Sequence, residues 1–231
     1  MNIRSYLTGP YTFSSSIAFA AVVLGATAVD AGRSHAIART WARGILGVAD
    51  VSLDVEGREN LIDGPVVVMA NHQSYIDVPI LMLGLPYDLN FVAKKQLSYI
   101  PMFGWGMKAM GHVFVDRGNT EAAIRTLDEA ADQIRAGTNV GVFPEGTRSK
   151  TGELLRFKKG GFVLAIKSGV PILPVSIDGS RDLLPVGAKR ILPGRVTVRV
   201  HPAVDTSAIP LEAKDALVEQ VQSIIAGGLS A

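Results

Sequence analysis

Seven short apolar runs, rich in valine, isoleucine and leucine, are distributed along the chain after residue 50. Several are almost continuously apolar rather than alternating, which is typical of strands covered on both faces of a sheet. The runs predict β-strands at residues 51–55, 66–70, 89–93, 112–115, 139–143, 172–177 and 196–200.

Amphipathic segments separate these runs. Helices are predicted at residues 78–83, 119–136, 160–168 and 213–226. In the longest of them, Ile124, Leu127, Ala131 and Ile134 recur near helical spacing, and Gly137 ends the pattern. Strands that alternate with helices predict an α/β fold with a single mostly parallel sheet flanked by helices.

The N-terminal segment has a different pattern. No charged residue occurs between Arg4 and Asp30, but its densest apolar part, residues 17–29, is shorter than the roughly 20 residues that cross a bilayer. Gly9, Pro10 and three consecutive serines are expected to interrupt the helix that would precede this part.

Residues 33–48 have the composition of a helix at a membrane interface. Arg33, Arg39 and Arg43 are interleaved with apolar residues, and Trp41 would serve as an interface anchor.

We expect a membrane-embedded or re-entrant hairpin that leads into this interfacial helix. The alternatives are a single spanning helix, a signal peptide cleaved after Ala28, and a buried helical pair packed on the domain. The chain is accordingly divided into an N-terminal helical membrane-associating segment, residues 1–50, and an α/β domain, residues 51–231.

Composition narrows the function classes. The 231 residues include 23 basic and 21 acidic side chains, a net charge of only +2, so nucleic-acid binding is not expected. No cysteine is present, which excludes disulfides, thiolate metal sites and cysteine nucleophiles. The hydrophobic content of 48% and the mean hydropathy of +0.27 are high for a freely soluble protein.

A histidine and an aspartate follow the apolar run that ends at Ala70. On a continuous helix, His72 and Asp77 would point about 140° apart, so they meet only if His72 lies in the loop and Asp77 in the first helical turn. Ser74 is a suitable N-cap for that helix. The pair is then a general base and its orienter. The same residues equally fit a capping box in which His72 has no role.

A second polar loop follows the predicted strand 139–143. It places Glu145 and Arg148 in a Pro/Gly turn, after a strand end, where α/β folds usually carry their chemistry. Together, the two loops suggest acyl transfer to a phosphate-bearing acceptor.

The chain resembles the glycerolipid acyltransferases in four ordered blocks. Asn71-His72 with Asp77 resembles their NHxxxxD motif. The other three blocks are matched at residues 94–97, 100–101, 103–104, 111 and 115–117, at 143–149, and at 170–175. The resemblance covers roughly residues 66–177 and is nearest to the bacterial branch that acylates 1-acyl-sn-glycerol 3-phosphate. Gln96, where glutamate is common in that branch, is a conservative departure.

The resemblance implies a reaction and two catalytic residues. His72 would act as general base on the free sn-2 hydroxyl of 1-acyl-sn-glycerol 3-phosphate, and Asp77 would hold the imidazole. The acyl group would come from acyl-CoA or acyl carrier protein as co-substrate, giving phosphatidic acid. Because a thioester is already activated, neither a metal nor another cofactor is expected.

The resemblance also implies substrate-binding residues, namely Lys94, Arg117, Glu145, Gly146, Thr147 and Arg148. The two arginines would hold the acceptor's phosphate through parallel hydrogen bonds, and the lysine would add a point charge. Glu145 would bind an acceptor hydroxyl or pair with Arg148, and Gly146 would allow a close backbone approach.

Residues alone favour simpler roles for two of these cations. Arg117 would form an ion pair with Asp116, and Lys94 would be a solvated surface lysine. The basic segment at residues 157–161 is placed outside the core site.

The expected partners are a membrane lipid substrate, acyl-CoA or acyl carrier protein, and a membrane surface, with no nucleic acid. Arginines on the C-terminal side of the apolar segment predict the cytoplasmic face of the cell inner membrane, with a monotopic or re-entrant anchor. The alternatives are an acyltransferase for glycerol 3-phosphate or a lysophospholipid, and a non-catalytic lipid-binding member of the same fold.

Overall fold

A computed structural model describes residues 3–29 and 33–230 of the chain. Its helices are α1 (Ile3–Val29), α2 (Ser34–Val48), α3 (Asp77–Gly84), α4 (Phe103–Ala109), α5 (Thr120–Arg135), α6 (Gly160–Ser168), α7 (Ser180–Leu183) and α8 (Lys214–Gly227). Its strands are β1 (Val51–Glu56), β2 (Val67–Ala70), β3 (Leu89–Lys94), β4 (Val113–Val115), β5 (Asn139–Val142), β6 (Ile172–Asp178) and β7 (Gly194–Val200). Short 3₁₀ helices occur at Arg58–Asn60, Lys95–Tyr99 and Leu211–Ala213.

The seven strands form one sheet in the order β1-β7-β6-β2-β5-β3-β4. Neighbouring strands are parallel except for β6 and β7, which pair antiparallel. All seven predicted strands are present, displaced at their ends by a residue or two. The predicted single, mostly parallel sheet flanked by helices is therefore confirmed.

Strand β2 lies at the centre of the sheet, and its side chains enter two separate cores. Val66, Val68 and Ala70 belong to the core beneath α2 and α3, whereas Val67 and Met69 belong to the core beneath α5, α6 and α8. All five side chains are fully buried. Because successive residues of a strand face opposite sides of the sheet, coverage on both faces explains why this run contains no polar position.

The first helix is not interrupted where the sequence suggested. α1 continues from Ile3 to Val29 through Gly9, Pro10 and the serines. The hydroxyl of Thr12 donates to the carbonyl oxygen of Thr8 at 2.7 Å, and that of Ser16 donates to the carbonyl oxygen of Thr12 at 2.6 Å. These hydroxyl groups are satisfied inside the helix, so they need not compete with its backbone hydrogen bonds.

α1 packs along the domain rather than apart from it. Its Thr8 hydroxyl accepts a hydrogen bond from the backbone N–H of Ile191 at 2.8 Å, and Val23 is fully buried in the core of the sheet. Phe19 stacks on Trp41 of α2, with ring centroids 4.9 Å apart. Trp41 therefore joins the two helices instead of anchoring α2 in an interface.

None of the helices in the described residues combines the length and hydropathy of a membrane-spanning segment. The connection of the expected hairpin, residues 30–32, lies outside the described residues. The domain boundary at residue 50 stays a prediction.

Arg39 was expected on the basic face of an interfacial helix, and this interpretation is wrong. Its guanidinium donates to the carbonyl oxygens of Met82 at 2.6 Å, Leu85 at 3.1 Å and Tyr87 at 2.7 Å. These carbonyls lie at and just beyond the C-terminal end of α3, where the helix has no internal donors left for them. Arg39 thus fastens α2 to α3.

Helices α1 and α4 approach each other closely at Gly106. A Cβ atom added at Gly106 would lie 3.3 Å from the Cα atom of Ala20. Gly106→Val should therefore push the helices apart and cost about 1–3 kcal/mol, seen as a lower melting temperature in thermal unfolding. The matched control is Gly25→Ala on α1, where no heavy atom lies within 4 Å of the added carbon. Equal melting temperatures for Gly106→Val and the wild type would contradict this packing.

Candidate active site

The two polar loops predicted to carry chemistry leave the same edge of the sheet. One follows β2 and the other follows β5, and these strands pair in parallel with Met69 opposite Val142. The carboxyl ends of the two strands therefore lie side by side, and the loops meet there. A backbone hydrogen bond of 2.8 Å from the Ser149 N–H to the His72 carbonyl oxygen joins them directly.

Asn71 fixes the point at which β2 becomes the loop. Its buried side-chain amide donates to the carbonyl oxygen of Ile177 at 2.8 Å and accepts from the N–H of the same residue at 2.7 Å. The side chain thus takes the place of one more backbone rung between β2 and β6. The direction in which the next residue, His72, leaves the sheet is set by this pair of bonds.

His72 and Asp77 meet as the sequence predicted. The His72 Nδ1 atom lies 2.8 Å from Oδ2 of Asp77, which is fully buried and is the first residue of α3. The same oxygen accepts from the backbone N–H groups of Gln73 at 2.8 Å and Ser74 at 2.7 Å. Asp77 therefore contacts the imidazole and also holds the turn before the helix.

Ser74 is not the N-cap residue that the sequence suggested. Ile76 occupies that position and has no side-chain capping bond. The Ser74 hydroxyl instead donates to the carbonyl oxygen of Leu184 at 2.9 Å, which ties the loop to the end of α7. The same oxygen accepts from the backbone N–H of Ile76 at 3.4 Å, so the hydroxyl has one local contact and one that is distant in sequence.

Aromatic stacking fixes the plane of the His72 ring. It stacks on Phe143 with ring centroids 4.1 Å apart, and Phe143 stacks on Phe91 at 6.0 Å. Gly141 is required beneath this stack, since an added Cβ would lie 2.6 Å from Cε1 of Phe91. With Nδ1 directed at Asp77, the lone pair of the neutral imidazole is on Nε2, which has no protein partner among the described residues.

Glu145 holds the two loops together. Its side chain is 2% exposed, its Oε1 accepts from the backbone N–H of His72 at 2.6 Å, and its Oε2 accepts from that of Leu155 at 2.9 Å. Burial raises the pKa of the carboxyl from 4.5 to about 7, against the lowering effect of the two hydrogen bonds. Neither an ion pair with Arg148 nor an oxygen free for an acceptor hydroxyl is found.

The two predicted arginines lie beside the turn at residues 144–148 and make different contacts. Arg117 donates from Nη1 to the carbonyl oxygen of Gly146 at 2.7 Å, and Gly146 has a φ of 70°, in the left-handed region that favours glycine. The guanidinium of Arg148 lies over the ring of Tyr75, 3.3 Å from its centroid. Arg117 thus contacts the predicted turn, whereas Arg148 covers the His72 loop.

Two other predicted ligands are exposed at the same edge. Thr147 is an exposed residue of the turn, and Lys94 is exposed at the end of β3. The expected ion pair of Arg117 with Asp116 does not form, because Asp116 pairs with Lys95 at 3.0 Å. The described residues contain no group of three His, Asp or Glu side chains suited to hold a metal ion.

By sequence alone, Lys158 is placed outside the site, but in the structure this lysine lies against the turn that contains Gly146. Its backbone N–H donates to the carbonyl oxygen of Pro144 at 2.8 Å. Its Cδ and Nζ atoms lie 3.1 Å from the position that a Cβ of Gly146 would occupy. The sequence signal was only a pair of lysines before a helix, which is common on protein surfaces.

Comparison with known proteins identifies the family of the chain. The family model for acyltransferases matches residues 52–178, more than half of the chain, and the chain belongs to the acyltransferase family.

Individual relatives carry more specific names. A chloroplastic 1-acyl-sn-glycerol-3-phosphate acyltransferase from Brassica napus is 36% identical over 197 residues, covering 82% of this chain and 56% of that protein. The enzyme of the same name from Pseudomonas aeruginosa is 32% identical, covering 68% and 61%. This chain thus spans little more than half the length of these curated relatives.

A solved structure matches the whole architecture. The crystal structure of the 1-acyl-sn-glycerophosphate acyltransferase PlsC from Thermotoga maritima superimposes with a TM-score of 0.81 at 31% identity. The match covers 98% of this chain and 95% of that one, so it includes the N-terminal helices as well as the sheet.

The raised pKa of Glu145 predicts a pH dependence of stability. Between pH 4.5 and about 7 the unfolded chain has released a proton that the folded chain still holds, so the unfolding free energy falls as the pH rises. Glu145→Gln should remove this contribution. It should also lower stability at every pH, because a glutamine oxygen replaces only one of the two acceptors.

Thermal unfolding of both proteins between pH 4.5 and 8 in detergent is the measurement. Glu153→Gln, at an exposed acid beyond the turn, is the control and should keep the wild-type slope. A slope for Glu145→Gln equal to that of the wild type would mean that the buried carboxyl does not titrate in this range.

Proposed function

We propose that the protein transfers a fatty acyl group from a thioester donor to the sn-2 hydroxyl of 1-acyl-sn-glycerol 3-phosphate, giving phosphatidic acid. The observation that carries the proposal is the His72–Asp77 pair, with Nε2 left available beside the cationic turn. The names of the relatives support the same reaction for this chain.

In the proposed mechanism His72 is the general base. Its Nε2 takes the proton from the acceptor hydroxyl, which is too weakly acidic to attack unaided, while the hydroxyl oxygen attacks the thioester carbonyl. The tetrahedral intermediate then collapses, the carbon–sulfur bond breaks, and the thiolate takes the proton back from the imidazolium. Asp77 stabilises that imidazolium, and no covalent enzyme intermediate is formed.

Five of the six predicted substrate-binding residues keep their proposed role, and one changes. Arg117 and Arg148 bind the acceptor's phosphate, and Lys94 adds a positive charge at the same edge of the sheet. Gly146 and Thr147 belong to the turn beside these cations. Glu145 is reassigned as a positioning residue, because both of its oxygens already accept from backbone N–H groups.

The donor is acyl-CoA or acyl carrier protein, since either presents the same thioester to the base. Neither donor requires a metal or a further cofactor for the transfer. Only the carrier differs between the two, and it lies beyond the reacting atoms.

We further propose that the protein docks on a membrane surface through α1 and the neighbouring α4. On α1, Ile17 is 47% exposed and Val22 is 55% exposed, although the opposite side of the helix is buried in the domain. Trp105 of α4 is also exposed at 51%. Exposed apolar side chains on adjacent helices fit insertion at the level of the lipid headgroups, where the lysophosphatidate acceptor resides.

The catalytic proposal is tested with His72→Ala. Loss of a general base should lower kcat by about 10²–10⁴ while the melting temperature stays close to that of the wild type. Asp77→Asn should also lower kcat, because the neutral amide stabilises an imidazolium less than a carboxylate does. It should reduce stability as well, because its oxygen can replace Oδ2 but its NH₂ group would then lie at the buried Oδ1 position, which has no hydrogen-bond partner among the described residues. Both are measured with radiolabelled acyl donor and purified protein.

A panel of acceptors decides the substrate class. Lysophosphatidate should be acylated faster than glycerol 3-phosphate or a neutral lysophospholipid. Near-normal turnover by His72→Ala would remove His72 from the mechanism. A folded wild type that acylates none of the acceptors with either donor would instead indicate a lipid-binding protein.

The membrane proposal is tested by charge substitutions rather than by deletion, because α1 contributes to the core. The double variant Ile17→Glu, Val22→Glu should lose at least about tenfold in its partition to anionic phospholipid vesicles, since each apolar side chain contributes about 1.5–3 kcal/mol on insertion. Ile124→Glu is the control, because Ile124 is similarly exposed but lies on α5. Unchanged cosedimentation of the double variant would contradict docking through α1.

A further inference from the structure

Two cations converge on one glycine of the predicted turn. The Arg117 Nη1 and Lys158 Nζ atoms would lie 2.8 and 3.1 Å from a Cβ atom added at Gly146. The two nitrogen atoms are therefore within about 6 Å of each other, over the same point of the backbone. Any side chain at residue 146 would displace at least one of them. The glycine keeps open the space in which both charges lie.

Neither of these two cations has an acidic partner in the described part of the chain, although their neighbours do. Lys159, the next residue, pairs with Asp215 at 2.8 Å, and Lys95 pairs with Asp116 at 3.0 Å. Arg117 donates a hydrogen bond to the carbonyl oxygen of Gly146, and within residues 3–29 and 33–230 no carboxylate pairs with either Arg117 or Lys158. Two like charges held close together repel each other, and an anion between them relieves this repulsion.

The rest of the molecule holds each cation in place. The backbone of Lys158 is anchored by its hydrogen bond to Pro144, one residue before Glu145. Arg117 lies two residues beyond the end of β4, so its backbone is positioned by the edge of the sheet. Arg148 lies over the ring of Tyr75, on the His72 side of the turn.

We propose that Lys158 and Arg117 form a cation pair that binds the phosphate monoester of the acceptor, and that Lys158 selects acceptors with a dianionic phosphate. This inference rests on the function proposed above and adds a residue to its substrate site. A monoester dianion carries two negative charges over three terminal oxygens and can neutralise both cations, whereas a phosphodiester carries one negative charge over two oxygens and leaves one cation uncompensated. Lys158 is therefore a specificity residue, distinct from the base.

The test compares Lys158→Ala, Lys158→Arg and Lys159→Ala with the wild type. For Lys158→Ala, the KM for lysophosphatidate should rise about tenfold, the loss of one charge-assisted hydrogen bond, with the donor KM and kcat within about twofold. Its KM for lysophosphatidylglycerol, a phosphodiester, should change little. Lys158→Arg should recover most of the loss. Lys159→Ala should behave as wild type, because that lysine is held by Asp215.

The pH dependence separates binding from a structural effect. The second ionisation of a phosphate monoester has a pKa of about 6, so the ratio of mutant to wild-type KM should be larger at pH 8 than at pH 5.5. A change in packing would alter KM equally at both values. Thermal unfolding of each variant verifies that it is folded.

Three results would overturn the inference: an unchanged lysophosphatidate KM in Lys158→Ala, a selective rise in the donor KM, or a ratio independent of pH. The donor result would assign Lys158 to the phosphates of the carrier. Titration calorimetry with glycerol 3-phosphate measures the same contact without turnover. If the wild type acylates nothing but binds this ligand more tightly than Lys158→Ala, the proposed reaction fails while the cation pair stands.

Discussion

One carboxylate oxygen, Oδ2 of Asp77, determines the arrangement of the site. It accepts from Nδ1 of His72 and from the backbone N–H groups of Gln73 and Ser74, all within 2.8 Å. Because the carboxyl group is fully buried, these contacts offset part of the cost of removing it from water, while its other oxygen, Oδ1, has no hydrogen-bond partner among the described residues. The tautomer of the imidazole, the turn before α3 and the start of that helix therefore depend on a single atom.

Three further contacts fix the position of His72 relative to the sheet. Asn71 bonds to both backbone groups of Ile177, Phe143 stacks on the imidazole, and Glu145 accepts from the backbone N–H of His72. The first contact ties the residue before His72 to β6, and the other two reach His72 from the loop after β5. The imidazole is thus held in one orientation, which is the condition that the proposed proton transfer requires.

The lysine and arginine side chains of the protein fall into two groups, those with a carbonyl or carboxylate partner in the protein and those without an acidic partner. Arg39 donates hydrogen bonds to carbonyl oxygens at the end of α3, and Lys95 and Lys159 form ion pairs with carboxylates. Arg117 and Lys158 have no acidic partner in the described residues and lie together over Gly146. Formal charge alone did not distinguish these groups, because each is simply a lysine or arginine in a polar segment.

The sequence by itself determined the seven strands and the mostly parallel α/β class, because both follow from local periodicity. For His72 and Asp77 the spacing allowed either a contact or a helix cap, and the structure decided for the contact. Only the tertiary structure decided the continuity of α1, the bridging role of Glu145 and the position of Lys158. Glu145 and His72 are 73 residues apart and meet because β2 pairs with β5. Such contacts depend on which strands are neighbours in the sheet, and no local pattern records that order.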